Sequence, residues 1–188
     1  MSSYSTFHFH VAILQRVLSA SVTVDKEVVS SIGKGVLVFA AVAPGDLEKD
    51  ADTLAAKVLK MKLWDDDSGD RWKRSVKDID GEVLCVSQFT LLASTKKGNK
   101  PDFHGAASGE AAKRLYQYFF EKVQQGYVAD KVKNGVFQAM MEVALVNDGP
   151  VTLELSAGQK DVPAQRMVPT STPASTPTPS NSEDRSRP

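Results

Sequence analysis

The residues from Val36 to Val42 form an unbroken apolar run, and this run constrains the fold more than any other stretch. Gly33 and Gly35 precede the run and Pro44 follows it, so a turn is expected on each side. A continuous apolar run bounded in this way indicates a β-strand that is buried on both faces. The sequence therefore predicts a sheet with a covered central strand.

Further strands follow from shorter apolar runs and from alternation. Val83 to Val86 indicates a second buried strand after the turn pair Asp80-Gly81. A long strand over Val136–Val146 is expected to place Phe137 and Met141 on one face and Gln138 on the other. The remaining predicted strands are Val11–Val17, a hairpin of Ala20–Val24 and Glu27–Ile32 around Asp25-Lys26, and Val151–Leu155 after a stop at Asn147–Pro150.

Two helices are predicted to pack on the sheet. The first begins with Asp46 as its N-cap, and the second runs from Gly109 to Gln124. Each helix carries an apolar stripe at helical spacing. The stripes are Leu47, Ala51, Leu54, Val58 and Met61 in the first helix, and Ala112, Leu115, Phe119 and Val123 in the second.

Composition divides the chain into three parts. The 188 residues contain 23 Lys and Arg against 23 Asp and Glu, so net charge does not direct the chain toward nucleic acid. We expect an N-terminal extension over 1–10, one folded domain over 11–156, and a disordered tail over 157–188 that is rich in Pro, Ser and Thr. The single cysteine, Cys85, lies in an apolar run, and no apolar run approaches the roughly 20 residues of a membrane span. A cytoplasmic protein without membrane contact is expected.

Ser87, Gln88, Phe89 and Thr90 place polar and aromatic side chains directly after a buried strand. Backbone N–H groups at a strand end often lack ladder partners, so they can donate to a ligand oxygen. An ordinary strand end with satisfied polar groups is the alternative. No metal or cofactor is expected. The acidic run from Asp65 to Asp70 lacks the glycine and glutamate positions of a calcium loop, and no third glycine or helical pattern follows Gly33 and Gly35, as a dinucleotide loop would require.

A lysine-rich loop follows this strand end. Lys96, Lys97 and Lys100 are punctuated by Gly98 and Pro101. Such a loop could contact the phosphate backbone of a nucleic acid, or it could simply be solvated. Its position beside the strand end favours the first interpretation.

The Ser87-Gln88-Phe89-Thr90 segment and the Asn147-Asp148-Gly149-Pro150-Val151-Thr152 segment together resemble the two signature motifs of the D-aminoacyl-tRNA deacylases, also called D-tyrosyl-tRNA deacylases. The resemblance extends over Val11 to Leu155. It includes Leu14–Val17, Ala20–Val24, Lys97–Pro101 and Phe103.

This resemblance implies a homodimer of α/β single-domain subunits with a β-barrel-like, mostly antiparallel sheet and two packing helices. It also implies that each active site is built from both chains. The Gly149-Pro150 turn, with a cis peptide and oriented by Arg16, would enter the partner's pocket and reject L side chains by steric conflict. D-aminoacyl-tRNA would then be the substrate through its acceptor end, and glycyl-tRNA would also be accepted.

The resemblance further implies roles for the strand-end residues. Backbone N–H groups of Phe89 and Thr90 would stabilise the oxyanion, and the substrate's own 2′-hydroxyl would replace a protein base. We find no Ser/His/Asp arrangement, so Thr90 is expected to position groups rather than to act as nucleophile. Phe137, Met141 and Gln88 would hold the terminal adenine. Gln138 stands where the family usually has a small residue.

Two other classes of function remain open from the sequence. The first is a nucleic-acid-binding module that uses the Lys96 to Lys100 loop without catalysis. The second is a hydrolase of small esters with Ser87 or Thr90 as its nucleophile, which would form an acyl-enzyme.

Overall fold

The structure, a computed structural model, describes residues 10–96 and 98–157. Apart from residues 10 and 157, the expected N-terminal extension and tail lie outside the described residues, as does Lys97. The strands are β1 (His10–Val24), β2 (Glu27–Ile32), β3 (Gly35–Ala41), β4 (Glu82–Ser87), β5 (Val132–Asn134) and β6 (Glu142–Ala157). The helices are α1 (Glu48–Lys60) and α2 (Gly109–Gln125), with 3₁₀ turns at Phe89–Leu92 and Ala129–Lys131.

The strands form one mixed sheet in the order β2-β1-β3-β4-β5, and β6 also pairs with β1. The pairs β1–β2, β1–β3 and β1–β6 are antiparallel, whereas β3–β4 and β4–β5 are parallel. The two ends of this order approach each other, because the Ser30 hydroxyl donates to the Asn134 carbonyl at 2.8 Å. The expected single-domain α/β fold with a barrel-like sheet and two helices is confirmed.

The apolar run in β3 is buried on both faces, as predicted. Val36 and Val38 face the helices in one apolar cluster, whereas Leu37 lies in a second cluster inside the curved sheet. Each fully buried aliphatic side chain of this kind contributes about 1.5–3 kcal/mol to folding. Cys85 is fully buried beside them, and burial raises the pKa of its thiol to about 12.

Two turns depend on particular backbone conformations. The β1–β2 hairpin turns at Asp25 and Lys26, whose φ angles are +49° and +70°, as tight hairpin turns require. Gly35 lies where a Cβ atom would come within 1.9 Å of the Glu82 carbonyl oxygen. A side chain at position 35 would therefore separate β3 from β4 at the start of their parallel pairing.

The helices pack through most of their predicted stripes, but the start of α1 differs from the prediction. Ala51, Leu54 and Val58 are buried, whereas Leu47 is 53% exposed. Leu47, not Asp46, is the N-cap residue of α1. The Asp46 carboxylate instead accepts the Ala43 N–H at 2.6 Å in the preceding turn, so this local bond competes with a capping role.

The predicted strand over Val136–Val146 is wrong in its first half, because residues 135–141 form a turn and β6 begins only at Glu142. The turn closes on itself, since the Ala139 N–H donates to the Val136 carbonyl at 3.2 Å. The Val136 N–H also lies 3.3 Å from the Met141 sulfur. Apolar alternation over a few residues does not distinguish this compact turn from a strand.

The predicted stop at Asn147–Pro150 is also wrong in part, because β6 continues through it along β1. Asn147 pairs with Val17 and Val151 pairs with Arg16, so three residues of β6 have no opposite residue in the ladder. These three residues form an insertion within a continuous pairing. Residues 148–150 are called the insertion turn.

Candidate active site

The strand end after β4 leaves two backbone donors without protein partners. The last ladder contact is the Gln88 N–H to the Ala40 carbonyl at 2.8 Å, after which the chain enters a 3₁₀ turn. Within the described residues, neither the Phe89 N–H nor the Thr90 N–H donates to a protein acceptor. The first N–H groups of a helical turn have no partner within the turn, so both can donate to a ligand.

The side chains of this strand end contact one another and a ring of the following loop. The Gln88 amide donates to the Thr90 hydroxyl oxygen. The Phe89 ring is 56% exposed and meets the Phe103 ring edge-on, with centroids 5.1 Å apart. His104 pairs with Asp102, but its side chain is 95% exposed and points to solvent. The Thr90 hydroxyl is therefore positioned by an amide and not by a general base.

A cleft of about 850 Å³ opens beside the strand end. Its floor is the end of β3, and its walls are the start of α2 and the turn over residues 135–141. Five of the predicted site residues line this cleft: Ser87, Gln88, Phe89, Phe137 and Met141. Thr90 is not among the lining residues.

Phe137 is fixed by an aromatic contact that sequence reasoning missed. The Tyr116 ring of α2 lies 5.8 Å from the Phe137 ring, and the Tyr116 hydroxyl donates to the Asn134 amide oxygen at 2.6 Å. Burial of Tyr116 raises the pKa of its hydroxyl well above the usual value, so the hydroxyl remains a donor. A tyrosine next to the apolar stripe of α2 was the available signal for this role.

Gln138 contradicts the prediction made for it. It was expected to face away from Phe137 and Met141, yet all three residues line the cleft. The reason is the turn conformation: Gln138 has a φ of +63°, so strand alternation does not apply to it.

The insertion turn is held tightly by β1. Arg16 Nε donates to the Asp148 carbonyl at 3.0 Å and lies 3.3 Å from the Asp148 carboxylate, and another guanidinium nitrogen donates to the Leu63 carbonyl. Beside it, the Gln15 amide donates to the Asn147 amide oxygen at 3.3 Å. The expected contact of Arg16 with the turn is thus present, with Asp148 as its direct partner.

Gly149 is constrained by both its conformation and its surroundings. Its φ is +114°, a value that side-chain-bearing residues rarely adopt. A Cβ atom at this position would lie 2.8 Å from an Arg16 guanidinium nitrogen. Any side chain would therefore displace either the turn or Arg16.

The structure does not bring the insertion turn to the strand end of the same chain. Ser87 pairs with Ala40, and Ala40 pairs with Ala12, whereas the turn lies beside Arg16. Ala12, which marks the strand end, and Arg16, which marks the insertion turn, are four residues apart in β1. This spacing is about 13 Å along the strand. The two groups of predicted site residues therefore lie at different positions along the strands of one sheet.

The lysine loop adjoins the strand end without lining the cleft. Ser94 and Asp102 close the loop through two backbone hydrogen bonds of 2.8 and 2.9 Å. Lys96 and Lys100 are exposed, and Phe103 at the base of the loop contacts Phe89. A basic surface thus lies next to the edge of the cleft.

Comparison with known proteins identifies the family. A model of the family described as D-Tyr-tRNA(Tyr) deacylase matches residues 13–156. The chain belongs to this family. The D-aminoacyl-tRNA deacylase of Yarrowia lipolytica is 52% identical over 145 residues, which cover 76% of this chain and 94% of that protein. The corresponding protein of Kluyveromyces lactis is 50% identical over 141 residues, covering 75% and 94%.

A solved structure shares this fold. It is titled c-Myc DNA Unwinding Element Binding Protein, is 43% identical, and superposes with a TM-score of 0.76 over 79% of this chain and 99% of that chain. Family membership confirms the predicted enzyme class, a hydrolase of the deacylase type. In the described part of the chain, no helix has the length and hydropathy needed to span a membrane.

Proposed function

We propose that the chain hydrolyses the ester bond of D-aminoacyl-tRNA and releases the D-amino acid and the tRNA. The observation that carries this proposal is that no described residue accepts from the Phe89 and Thr90 N–H groups, which lie beside a cleft lined by Phe137. The cleft accepts the terminal adenosine, and the strand end faces the ester. Chiral proofreading of translation in the cytoplasm is the corresponding biological role.

The chemistry requires little beyond positioned donors, because an aminoacyl ester is already activated. Water adds to the ester carbonyl, the two N–H groups stabilise the oxyanion, and the ribose oxygen leaves with a proton. Each donor of this kind typically contributes about 10²–10³ in rate. The ribose 2′-hydroxyl moves the proton, which agrees with the position of the solvent-exposed His104 away from the reaction.

Selectivity comes from the insertion turn of a second copy of the chain. In this homodimer, Gly149-Pro150, with a cis peptide, projects into the partner's cleft and leaves no space for an L side chain. The separation of the turn from its own strand end by about 13 Å supports assembly from two chains. Glycine has no side chain to reject, so glycyl-tRNA is a second substrate.

Three other assignments complete the proposal. Phe137, Met141 and Gln88 hold the terminal adenine, which can stack on the fixed aromatic ring. Lys96, Lys97 and Lys100 contact the tRNA backbone near the acceptor end. The active domain covers residues 11–156, outside which residues 1–10 and 157–188 take no part in catalysis.

The deciding experiment compares deacylation of D-tyrosyl-tRNA, L-tyrosyl-tRNA and glycyl-tRNA by the purified protein. Rapid loss of the D and glycyl esters with survival of the L ester is expected. Equal loss of the D and L esters would exclude the proposed filter, while an acyl-enzyme trapped on Ser87 or Thr90 would indicate a general ester hydrolase.

Nucleic-acid binding without catalysis is the second candidate, favoured by the similar solved structure, which is named as a DNA-binding protein, and by the exposed lysines of the loop. Uncleaved tRNA or DNA that binds equally well to the wild type and to a Gly149→Ala variant would support it. Loss of the D ester in the same preparation would contradict a purely binding role.

A further inference from the structure

Gln138 combines a left-handed backbone conformation with a position at one wall of the cleft. Of the five non-glycine residues with positive φ in the described part of the chain, Gln138 is the one that lines the cleft. Its neighbours Phe137 and Met141 line the same wall. Strained residues that persist at a binding site are often retained because of what their side chains do there.

The Gln138 amide is available to a ligand. Within the described residues it makes no hydrogen bond to protein, and the residue is exposed. The amide nitrogen rests against the first residue of α2, where a Cβ on Gly109 would approach it to 2.9 Å. Gly109 thus leaves room for the amide at the mouth of the cleft.

We propose that Gln138 recognises the terminal adenine by hydrogen bonding to its edge, a proposal that rests on the function proposed above. The amide oxygen accepts from the 6-amino group, and the amide NH₂ donates to the ring nitrogen beside that group. A glutamine amide matches this donor–acceptor pair of adenine. The base stacks on Phe137 while Gln138 holds its edge.

The effect of Gln138→Gly on stability and on ligand binding distinguishes the proposed role from a purely structural one. Glycine adopts positive φ without penalty, so Gln138→Gly should keep or raise the melting temperature. Under the proposal the same substitution weakens ligand binding. Affinity therefore falls without a loss of stability, which no simple loss of folding can produce.

The test uses two non-hydrolysable probes in which D-tyrosine is linked by an amide to the 3′ position of a nucleoside. One probe carries adenine, and the other carries unsubstituted purine, which lacks the 6-amino group. Dissociation constants are measured by calorimetry for the wild type, Gln138→Gly and Gln138→Glu. Lys26→Gly is the matched control, because Lys26 also has a positive φ but does not line the cleft.

The wild type and Lys26→Gly are expected to prefer the adenine probe by about three- to tenfold, the range of one net hydrogen bond. Gln138→Gly should lose this preference, and Gln138→Glu, which cannot donate when ionised, should bind adenine more weakly. An unchanged preference in Gln138→Gly would overturn the role of Gln138 alone. Failure of the wild type to bind either probe, together with survival of D-tyrosyl-tRNA, would overturn the proposed function as well.

Discussion

The strand end at Ser87 and the insertion turn at Gly149 are built in opposite ways. At the strand end, the Phe89 and Thr90 N–H groups donate to no acceptor among the described residues, and the Phe89 ring is more than half exposed. At the insertion turn, Arg16 is only 16% exposed and holds the turn through both backbone and side chain. The difference fits the tasks proposed for the two regions. Hydrolysis needs access for water, whereas rejection of one enantiomer needs a rigid backbone.

The contact that fixes the turn is stronger than an exposed ion pair. The Asp148 carboxylate is 26% exposed, and Arg16 also donates to two carbonyl groups. Hydrogen bonds to charged groups contribute about 1.5–3 kcal/mol, compared with about 0–1 kcal/mol for a surface ion pair. Rigidity at the turn is thus supplied within each chain before any partner binds.

Gly149→Ala should produce the largest effect, because the new Cβ combines an unfavourable φ with contact to Arg16. We expect the ratio of D to L hydrolysis, measured as kcat/KM on the two tyrosyl-tRNAs, to fall by about 100-fold or more, which corresponds to about 3 kcal/mol. Gly69→Ala is the control, since Gly69 also has positive φ but a Cβ there has no neighbour within 4 Å. Retention of full selectivity in Gly149→Ala would remove the turn from the proposed filter.

A mixing experiment sharpens the same comparison, because it asks whether the two regions act in one chain or across two. Phe89→Pro removes one donor at the first position of a 3₁₀ turn, where proline is tolerated. Gly149→Ala and Phe89→Pro should each be impaired alone. Refolding them together should restore selective hydrolysis, since under the proposed assembly a mixed dimer would contain one intact site. Unrestored activity in verified mixed dimers would place the whole site within one chain.

Asp148→Asn should have an intermediate effect, because it removes the charge that faces Arg16 but keeps the backbone carbonyl contact. A decrease of about 1 kcal/mol in the free energy of unfolding and a fall of about tenfold in the D to L ratio are expected. Asp80→Asn serves as control, as the Asp80 side chain in the pair with Lys131 is 83% exposed. Equal effects from both substitutions would mean that the Arg16 contact has no special role.

The predictions from the sequence were correct for the strands that are buried on both faces and for the family that the two signature motifs indicate. The apolar runs of β3 and β4 and the stripe of α2 became core elements as predicted. It failed over residues 135–141, where a hydrogen bond to a methionine sulfur and a left-handed Gln138 replaced the expected strand. Such a turn depends on contacts with Cys85 and Tyr116, which are distant in sequence, so a local pattern contains no signal for it.

Thr90→Ala should have the smallest effect, although Thr90 is a polar residue of the signature itself. Its hydroxyl accepts from Gln88, and Thr90 does not line the cleft, whereas its proposed contribution to the reaction is its backbone N–H, which alanine retains. A loss of less than about tenfold in kcat is therefore expected, well below the 10²–10³ of a lost oxyanion donor. Single-turnover deacylation of D-tyrosyl-tRNA measures it. Abolished turnover with an unchanged melting temperature and intact tRNA binding would make the hydroxyl itself part of the chemistry, and the strand end would then be a nucleophile site and not a donor site.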